Sequence, residues 1–335
     1  MERREVFKAL ETWGIRPEKV RRVRGVFKVW TDREIYCLKP VKDSKKRLLF
    51  FDSVIRYVKS RGFQVLASYI HTPEGEPFGN YDGQNLILTP WIEGKEIRYR
   101  SIKEMIGAAK VLAEFHKAAE GYKPEPGIKV KDKLGKWPEK LARRVGDIEF
   151  YIELAEKEGS DFDWYFLKNA DRILKDTKEA FIALRDSVYY KKVEESRNLT
   201  QICHGDPARR NFLIDKKGQI HLIDYDSMKL DLPITDLWRL LRRTLNRDQW
   251  DIDVIRRILD GYTEVRPLDQ EDYQLLAIFL TFPEKVWRIL RKYYEKRGRD
   301  GWSYKRLFRK LRKFLAQQEN RARFLSEFKM IYCEE

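Results

Sequence analysis

Residues 202–212 read Ile202-Cys203-His204-Gly205-Asp206-Pro207-Ala208-Arg209-Arg210-Asn211-Phe212, and Leu222-Ile223-Asp224 follows a short way on. The order is His-Gly-Asp, four residues, Asn, then an apolar strand, Gln219-Ile220-His221-Leu222-Ile223, that ends in Asp. Phosphoryl transfer needs these groups in this layout: one carboxylate facing an attacking hydroxyl, and an amide and a second carboxylate holding magnesium on nucleotide phosphates. Magnesium takes hard oxygen ligands and keeps several waters, so two protein ligands beside nucleotide oxygens suffice. Asp206 is thus the candidate catalytic base, and Asn211 and Asp224 the candidate metal ligands. Taken singly, each has a plainer reading as a turn or strand-end residue making local backbone bonds. Their conjunction favours the chemistry.

The surrounding residues divide into helpers and bystanders. His204 reads as structural, packed and hydrogen-bonded to hold the loop. Asp226 either assists metal binding or forms a turn. Asp236, just before Leu237-Trp238-Arg239, caps a helix or bonds back to the loop and reads as structural. Arg209 and Arg210 either steer an anionic acceptor or face solvent. Upstream, Lys39 ends the apolar strand Ile35-Tyr36-Cys37-Leu38, where an ammonium reaches donor phosphates. A lysine so placed normally pairs with an acid on the following helix, and Asp52 is the one carboxylate there beyond Asp43.

The flanking sequence sorts into two parts. Residues 1–17 read as a short helix ending at Trp13-Gly14. Two strands, Val20 to Trp30 and Glu34 to Lys39, flank a turn at Thr31-Asp32-Arg33. Leu48, Phe51, Ile55 and Val58 recur at helical spacing within 41–61, stopping at Gly62. Phe63 to His71 reads as a strand, 72–83 as a glycine-rich turn, and Asn85 to Trp91 as a strand. Trp91-Ile92-Glu93-Gly94 would be a hinge, with Trp91 and Ile92 beside the cofactor. A strong helix follows over 101–120, then amphipathic helices near 137–157 and 163–190, and a charged helical region from Asp236 onward. The expected fold is α+β and two-lobed: a small antiparallel-sheet N-lobe (1–93) and a large, mostly helical C-lobe (94–335). The C-lobe would carry the catalytic loop at 202–226 and a helical insertion at 122–200.

Composition bounds the partners. The chain has 335 residues, is 42% apolar and 36% charged, and carries a formal net charge of +16 with a pI near 9.5. Such a balance favours anionic partners. No nucleic-acid motif accompanies the charge, so a solvated basic face is the simpler reading. Three scattered cysteines, Cys37, Cys203 and Cys333, form no C-x-x-C pair and argue neither for a disulfide framework nor for zinc. The N-terminus lacks the apolar core of a signal peptide, and no run approaches a membrane span. The expected location is the cytosol, with no membrane partner.

Assembled, these residues resemble the aminoglycoside/choline-kinase-type phosphotransferases of the protein-kinase-like superfamily. The likeness rests on His204-Gly205-Asp206…Asn211, Ile223-Asp224-Tyr225-Asp226, Asp236-Leu237, Leu112-Ala113-Glu114-Phe115-His116 and strand-end Lys39. More narrowly, the chain resembles the CotS-type spore-coat kinase-like proteins. That likeness rests on Asp161-Phe162-Asp163-Trp164-Tyr165-Phe166, Leu184…Ser187…Tyr189 and Phe282-Pro283-Glu284-Lys285-Val286-Trp287…Tyr293-Tyr294. The resemblance implies a protein-kinase-like fold, ATP with Mg²⁺, and a hydroxyl acceptor on a small molecule or a coat component. It also implies expression during sporulation and association with spore-coat proteins. Two departures stand out. The first hairpin, Arg24-Gly25-Val26-Phe27-Lys28-Val29, has one glycine where kinases usually carry Gly-x-Gly-x-x-Gly, and there is no Ala-Pro-Glu segment. The first of these admits an alternative, a kinase-shaped coat scaffold with little or no catalysis.

Overall fold

The computed structural model describes residues 2–128, 130–245, 250–295 and 304–334. These condense into two compact units, one from the described residues of 1–132 and 199–230, the other from those of 133–198 and 231–335.

Among the described residues, every strand lies in the first unit. Helix α1 (Arg3–Leu10) runs into a 3₁₀ turn that ends at Gly14 in the left-handed region. Strands β1 (Lys19–Val23), β2 (Val26–Trp30), β3 (Ile35–Val41), β4 (Gly79–Tyr81) and β5 (Gln84–Pro90) form an antiparallel sheet in the order β1-β2-β3-β5-β4. Val6, Leu10 and Trp13 pack with Phe27, Val29, Leu38, Leu86 and Leu88 to form the core on one face of this sheet. The Trp13 indole N–H also donates to the Ile70 carbonyl at 2.8 Å. Gly79 must be glycine, because a Cβ there would sit 2.6 Å from the Trp13 ring.

Helix α2 (Lys45–Ser60) buries Leu48, Phe51, Ile55 and Val58, the stripe expected from its sequence. The hinge leads to β6 (Lys95–Glu96) and then to α3 (Ile102–Ala119), whose N-cap Ser101 accepts from the Glu104 backbone N–H. After residue 199 the chain adds β7 (Ile202–Cys203), β8 (Phe212–Ile214), β9 (Ile220–Leu222) and β10 (Lys229–Leu230). Strands β6-β8-β9 form one small sheet and β10-β7 another. Gly107 lets α3 approach β9, since a Cβ would lie 2.6 Å from the Ile220 side chain.

The second unit contains α4 (Trp137–Glu158), α5 (Asp161–Leu167), α6 (Ala170–Arg185), α7 (Tyr189–Asn198), α8 (Pro233–Leu245), α9 (Ile252–Thr263), α10 (Gln270–Thr281), α11 (Glu284–Tyr294), α12 (Tyr304–Leu315) and α13 (Gln318–Tyr332). Aromatic rings fill much of its interior. Trp137 meets Trp238 edge-on at 5.4 Å, and Phe162 stacks on Tyr293 at 3.9 Å.

The mixed α/β architecture with an antiparallel sheet agrees with the sequence reading; four local expectations do not hold. Residues 72–83, read as a turn, contain strand β4 (Gly79–Tyr81), which pairs with β5. The stretch from Val20 to Trp30 is two strands, because Arg24 adopts φ +55° beside Gly25 and turns the chain back. Residues 63–71 form no strand; they make an isolated bridge from Leu66 to Leu222 and scattered bonds, among them the Ile70 N–H to the Leu88 carbonyl. Their apolar side chains are buried individually rather than by sheet alternation. The helix read over 163–190 breaks into α5, α6 and the start of α7. Ser160 and Asp163 form a capping box that starts α5, and Ser187 ends the next break by accepting from the Tyr189 N–H.

Candidate active site

The site lies entirely within the first unit, and its backbone explains its residue types. Gly205 has φ +85°, and a Cβ there would fall 2.2 Å from the Ser227 carbonyl oxygen. Only glycine tolerates both the angle and the approach. The His204 Nε2 lies 3.0 Å from the Ile223 carbonyl, and its Nδ1 lies 3.3 Å from the Asp206 backbone N–H. A carbonyl can only accept and an amide N–H only donate, so these contacts assign a neutral imidazole with its proton on Nε2. That ring ties the candidate catalytic loop to the strand leading to Asp224, the structural role read from sequence. The Ile223 N–H adds a second tie by donating to the Asn211 carbonyl at 2.9 Å.

Asn211 is almost wholly buried, and its Nδ2 donates to the Asp206 backbone carbonyl at 2.8 Å. That bond fixes the amide and leaves Oδ1 as its acceptor end, the atom a hard cation takes. Asp224 sits at φ +69°, an uncommon conformation for a residue with a side chain and one that concentrates at functional sites. The turn that imposes it is anchored by Tyr225, whose hydroxyl donates to the Leu222 carbonyl at 2.6 Å and accepts from the Ala67 N–H at 3.1 Å. Asp206 receives an ion pair from Arg210 at 2.6 Å. One of the two loop arginines therefore faces the candidate base. Arg209 pairs with Glu96 at 3.3 Å.

Lys39 answers the question of its acidic partner. Its Nζ lies 2.6 Å from Asp224 Oδ1 and 2.6 Å from Asp226 Oδ2. The expected acid on α2 is engaged elsewhere: Asp52 holds Arg56 at 3.0 Å and His71 at 3.0 Å. Burial works against the Lys39 charge, but Asp226 and Asp224 together outweigh it and hold the ammonium above its ordinary pKa. Asp226 is pushed up from the usual carboxylate range, first by burial and further by the neighbouring Asp224, with Lys39 opposing. Arg47 from α2 donates to the Asp226 backbone carbonyl at 2.7 Å and keeps this turn in register. Sequence alone leaves Asp226 between two roles, and the Asp-x-Asp spacing at 224–226 is the signal it offers.

A cavity of about 480 Å³ opens beside these groups. Lys39, Asn211, Asp224 and Asp226 line its polar end, and Val26, Ile87, Trp91, Ile92 and Leu213 contribute to its apolar wall. That volume and lining suit a flat, phosphate-bearing cofactor. Tyr69 borders the cavity with a buried hydroxyl that has no hydrogen-bond partner, a donor left over for a bound polar group. An amide oxygen and two carboxylates beside a lysine match what Mg²⁺ and nucleotide phosphates require. Trp91 is held by its N–H donating to the Ile35 carbonyl at 2.8 Å, and its ring lies 4.7 Å from the Lys28 ammonium, which itself pairs with Glu93. Arg24, at the hairpin tip, pairs with Glu96 at the cavity rim. Cys37 lines the same cavity, but burial pushes its thiol up to about 11, so it is no nucleophile near neutral pH.

Comparisons with known proteins bear on the fold and the family. Spore coat protein S of Bacillus subtilis is 28% identical over 311 residues, spanning 92% of this chain and 88% of its own. Among solved structures, an aminoglycoside phosphotransferase from Alicyclobacillus acidocaldarius shares the fold with a TM-score of 0.87 at 19% identity, over 97% of this chain and 95% of the other. Spectinomycin phosphotransferase APH(9)-Ia, crystallised with ADP and spectinomycin, follows at TM-score 0.61 and 17% identity, covering 97% and 98%. The choline kinase LicA of Streptococcus pneumoniae gives 0.52 at 15% identity, covering 96% and 99%. The fold is therefore that of the aminoglycoside/choline-kinase-like phosphotransferases. Residues 8–328 match one family throughout, and the chain belongs to it: the spore coat putative kinases described as YutH.

Proposed function

We propose that the protein is an ATP- and Mg²⁺-dependent phosphotransferase that passes a γ-phosphoryl group to a hydroxyl on a small molecule or a spore-coat component. The observation that carries this reading is the placement of Lys39 against Asp224 and Asp226, beside Asn211, in one cavity. Asp206 orients the acceptor hydroxyl and takes its proton. Asn211 and Asp224 hold the metal, Lys39 moves from its carboxylates to the donor phosphates, and Trp91 and Ile92 border the cofactor. MgATP, when bound, supplies the phosphoryl donor and screens its charge. Residues 1–93 act as the nucleotide-side lobe and 94–335 as the lobe carrying the catalytic loop. Among the described residues no helix is long and apolar enough to cross a membrane. We assign the protein to the cytosol, with association to the coat through its proteins.

The test is transfer of label from [γ-³²P]ATP with Mg²⁺ to a panel of alcohols and to coat extracts. Labelled product with the wild type, and none with Asp206→Ala at unchanged melting temperature, is the expected result. Full transfer by Asp206→Ala would overturn the role assigned to that carboxylate.

A coat scaffold without turnover is the second reading, favoured by one observation. The phosphate-side hairpin has a single glycine, and the Arg24 side chain at its tip is tied to Glu96. Absence of any thermal stabilisation at millimolar MgATP would select the scaffold, since a ligand of the native state must raise its stability.

A further inference from the structure

A second cavity, of about 600 Å³, lies wholly within the helical unit between α4 and α11. Two helical stripes build it. Lys140, Arg143, Arg144 and Asp147 fall at i, i+3, i+4 and i+7 on α4, so they share one face. Glu284, Trp287, Arg288 and Arg291 repeat the same spacing on α11. Glu295, at the C-cap, completes the lining. Five cations thus surround three carboxylates, and each carboxylate is already engaged. Glu284 accepts from Arg144 at 2.5 Å, Asp147 from the Trp287 indole at 2.8 Å, and Glu295 from Tyr151 at 2.5 Å and Arg291 at 2.8 Å. Among the described residues, no carboxylate lies within ion-pairing distance of Lys140, Arg143 or Arg288. Arg144 is only 4% exposed, and its Nε finds no hydrogen-bond partner. Its guanidinium is held flat by Trp287 at 4.2 Å and Phe282 at 4.8 Å, and the Lys140 ammonium sits 3.9 Å over Trp137.

We propose that this cavity is a binding site for a multivalent oxyanion, a ligand bearing phosphate or carboxylate groups, held by Lys140, Arg143, Arg144 and Arg288. A salt bridge alone would not leave such an excess of convergent donors. The titration of Lys140 points the same way. Burial, then Arg144 on its own helix and Arg239 on α8, lower it to about 7, with Glu284 on α11 and Asp231 opposing. An anion in the cavity reverses that balance and restores the charge. The site is self-contained in the helical unit and stands whether or not the first unit transfers phosphate.

Calorimetric titration of the full chain at low ionic strength tests it, without ATP or divalent cations. Pyrophosphate is the phosphate probe and citrate the carboxylate probe. At least one binds the wild type and loses tenfold or more in affinity in Lys140→Gln/Arg288→Gln, while Lys39→Gln binds it as the wild type does. Whichever probe binds tighter names the ligand's anionic group. Arg143→Gln/Arg288→Gln, both exposed, serves if the first pair fails to fold. In [ε-¹³C]lysine-labelled protein the bound probe raises the Lys140 titration midpoint by a pH unit or more. No binding of either probe, undiminished binding by the folded double variant, or loss in Lys39→Gln alone would overturn the assignment.

Discussion

Two lysines, one in each unit, meet burial with opposite results. Lys39 keeps its charge and is held above the ordinary value, because two carboxylates stand at 2.6 Å. Lys140 is driven down to about 7 by burial, with the Arg144 and Arg239 guanidinium groups adding to it and Glu284 and Asp231 opposing. Burial penalises both, and the sign of the surroundings decides the outcome. The contrast extends to what each region lacks. In the first unit two carboxylates, Asp224 and Asp226, share the Lys39 ammonium, and Asp206 pairs separately with Arg210. The helical cavity has cations to spare. On the two proposals, the first region takes a metal with its nucleotide and the second an anion.

Removing Lys39 should break the first half of the contrast and give the largest effect. Lys39→Met is expected to lower phosphate transfer about 10²–10³-fold, the scale set by loss of one preorganised charge partner. It also leaves Asp224 and Asp226 facing each other, so the melting temperature without metal should fall by about 2–4 °C. Mg²⁺ alone should recover that loss, and lowering the pH should shrink it as Asp226 takes up a proton. A variant as stable as the wild type in metal-free buffer would contradict the pairing.

Removing Lys140 should act in the opposite direction. Its folded pKa, about 7, lies below the ordinary 10.5. The unfolded chain therefore binds more protons between those values, and stability rises with pH across that window. The penalty is complete below pH 7. Lys140→Met should thus raise the melting temperature at pH 6 by about 2–4 °C, with the gain fading toward pH 10. Lys39 gives the reverse slope. Its own stabilisation is fully present below pH 10.5 and is lost as pH climbs through its higher folded value, so on the alkaline side the Lys39→Met deficit should close only above that value, while on the acid side it shrinks as Asp226 is protonated.

The smallest effect calibrates the others. Arg24 pairs with Glu96 from a side chain 76% exposed. Exposed ion pairs contribute about 0–1 kcal/mol. Arg24→Ala should leave the melting temperature within about 2 °C of wild type, and only nucleotide affinity, read by calorimetry, should register the change at the cavity rim.

What is legible in the sequence is mostly local. The His204–Asp224 layout, the apolar strand before Lys39 and the stripe of α2 all follow from short spacings. The partners of Lys39 do not, because they lie 185 and 187 residues away. The helix that follows Lys39 offers Asp52 instead, whose carboxylate is taken by Arg56 and His71. Residues 63–71 read as a strand from their apolar content, yet their backbone has almost no ladder to join. The basic stripe on α4 reads as one more amphipathic helix until α11 presents a second one to it. The unpartnered Tyr69 hydroxyl likewise has no sequence signal. It is defined by burial alone.

The central claim is that Asn211, Asp224 and Lys39 converge on a magnesium-bound nucleotide. Calorimetric titration of ATP, with and without Mg²⁺, into the wild type and Asp224→Asn tests it most directly. Mg²⁺ should tighten ATP binding tenfold or more in the wild type and leave it unchanged in the variant. ATP binding that ignores Mg²⁺ in the wild type, or Asp224→Asn responding to Mg²⁺ as the wild type does, would contradict it.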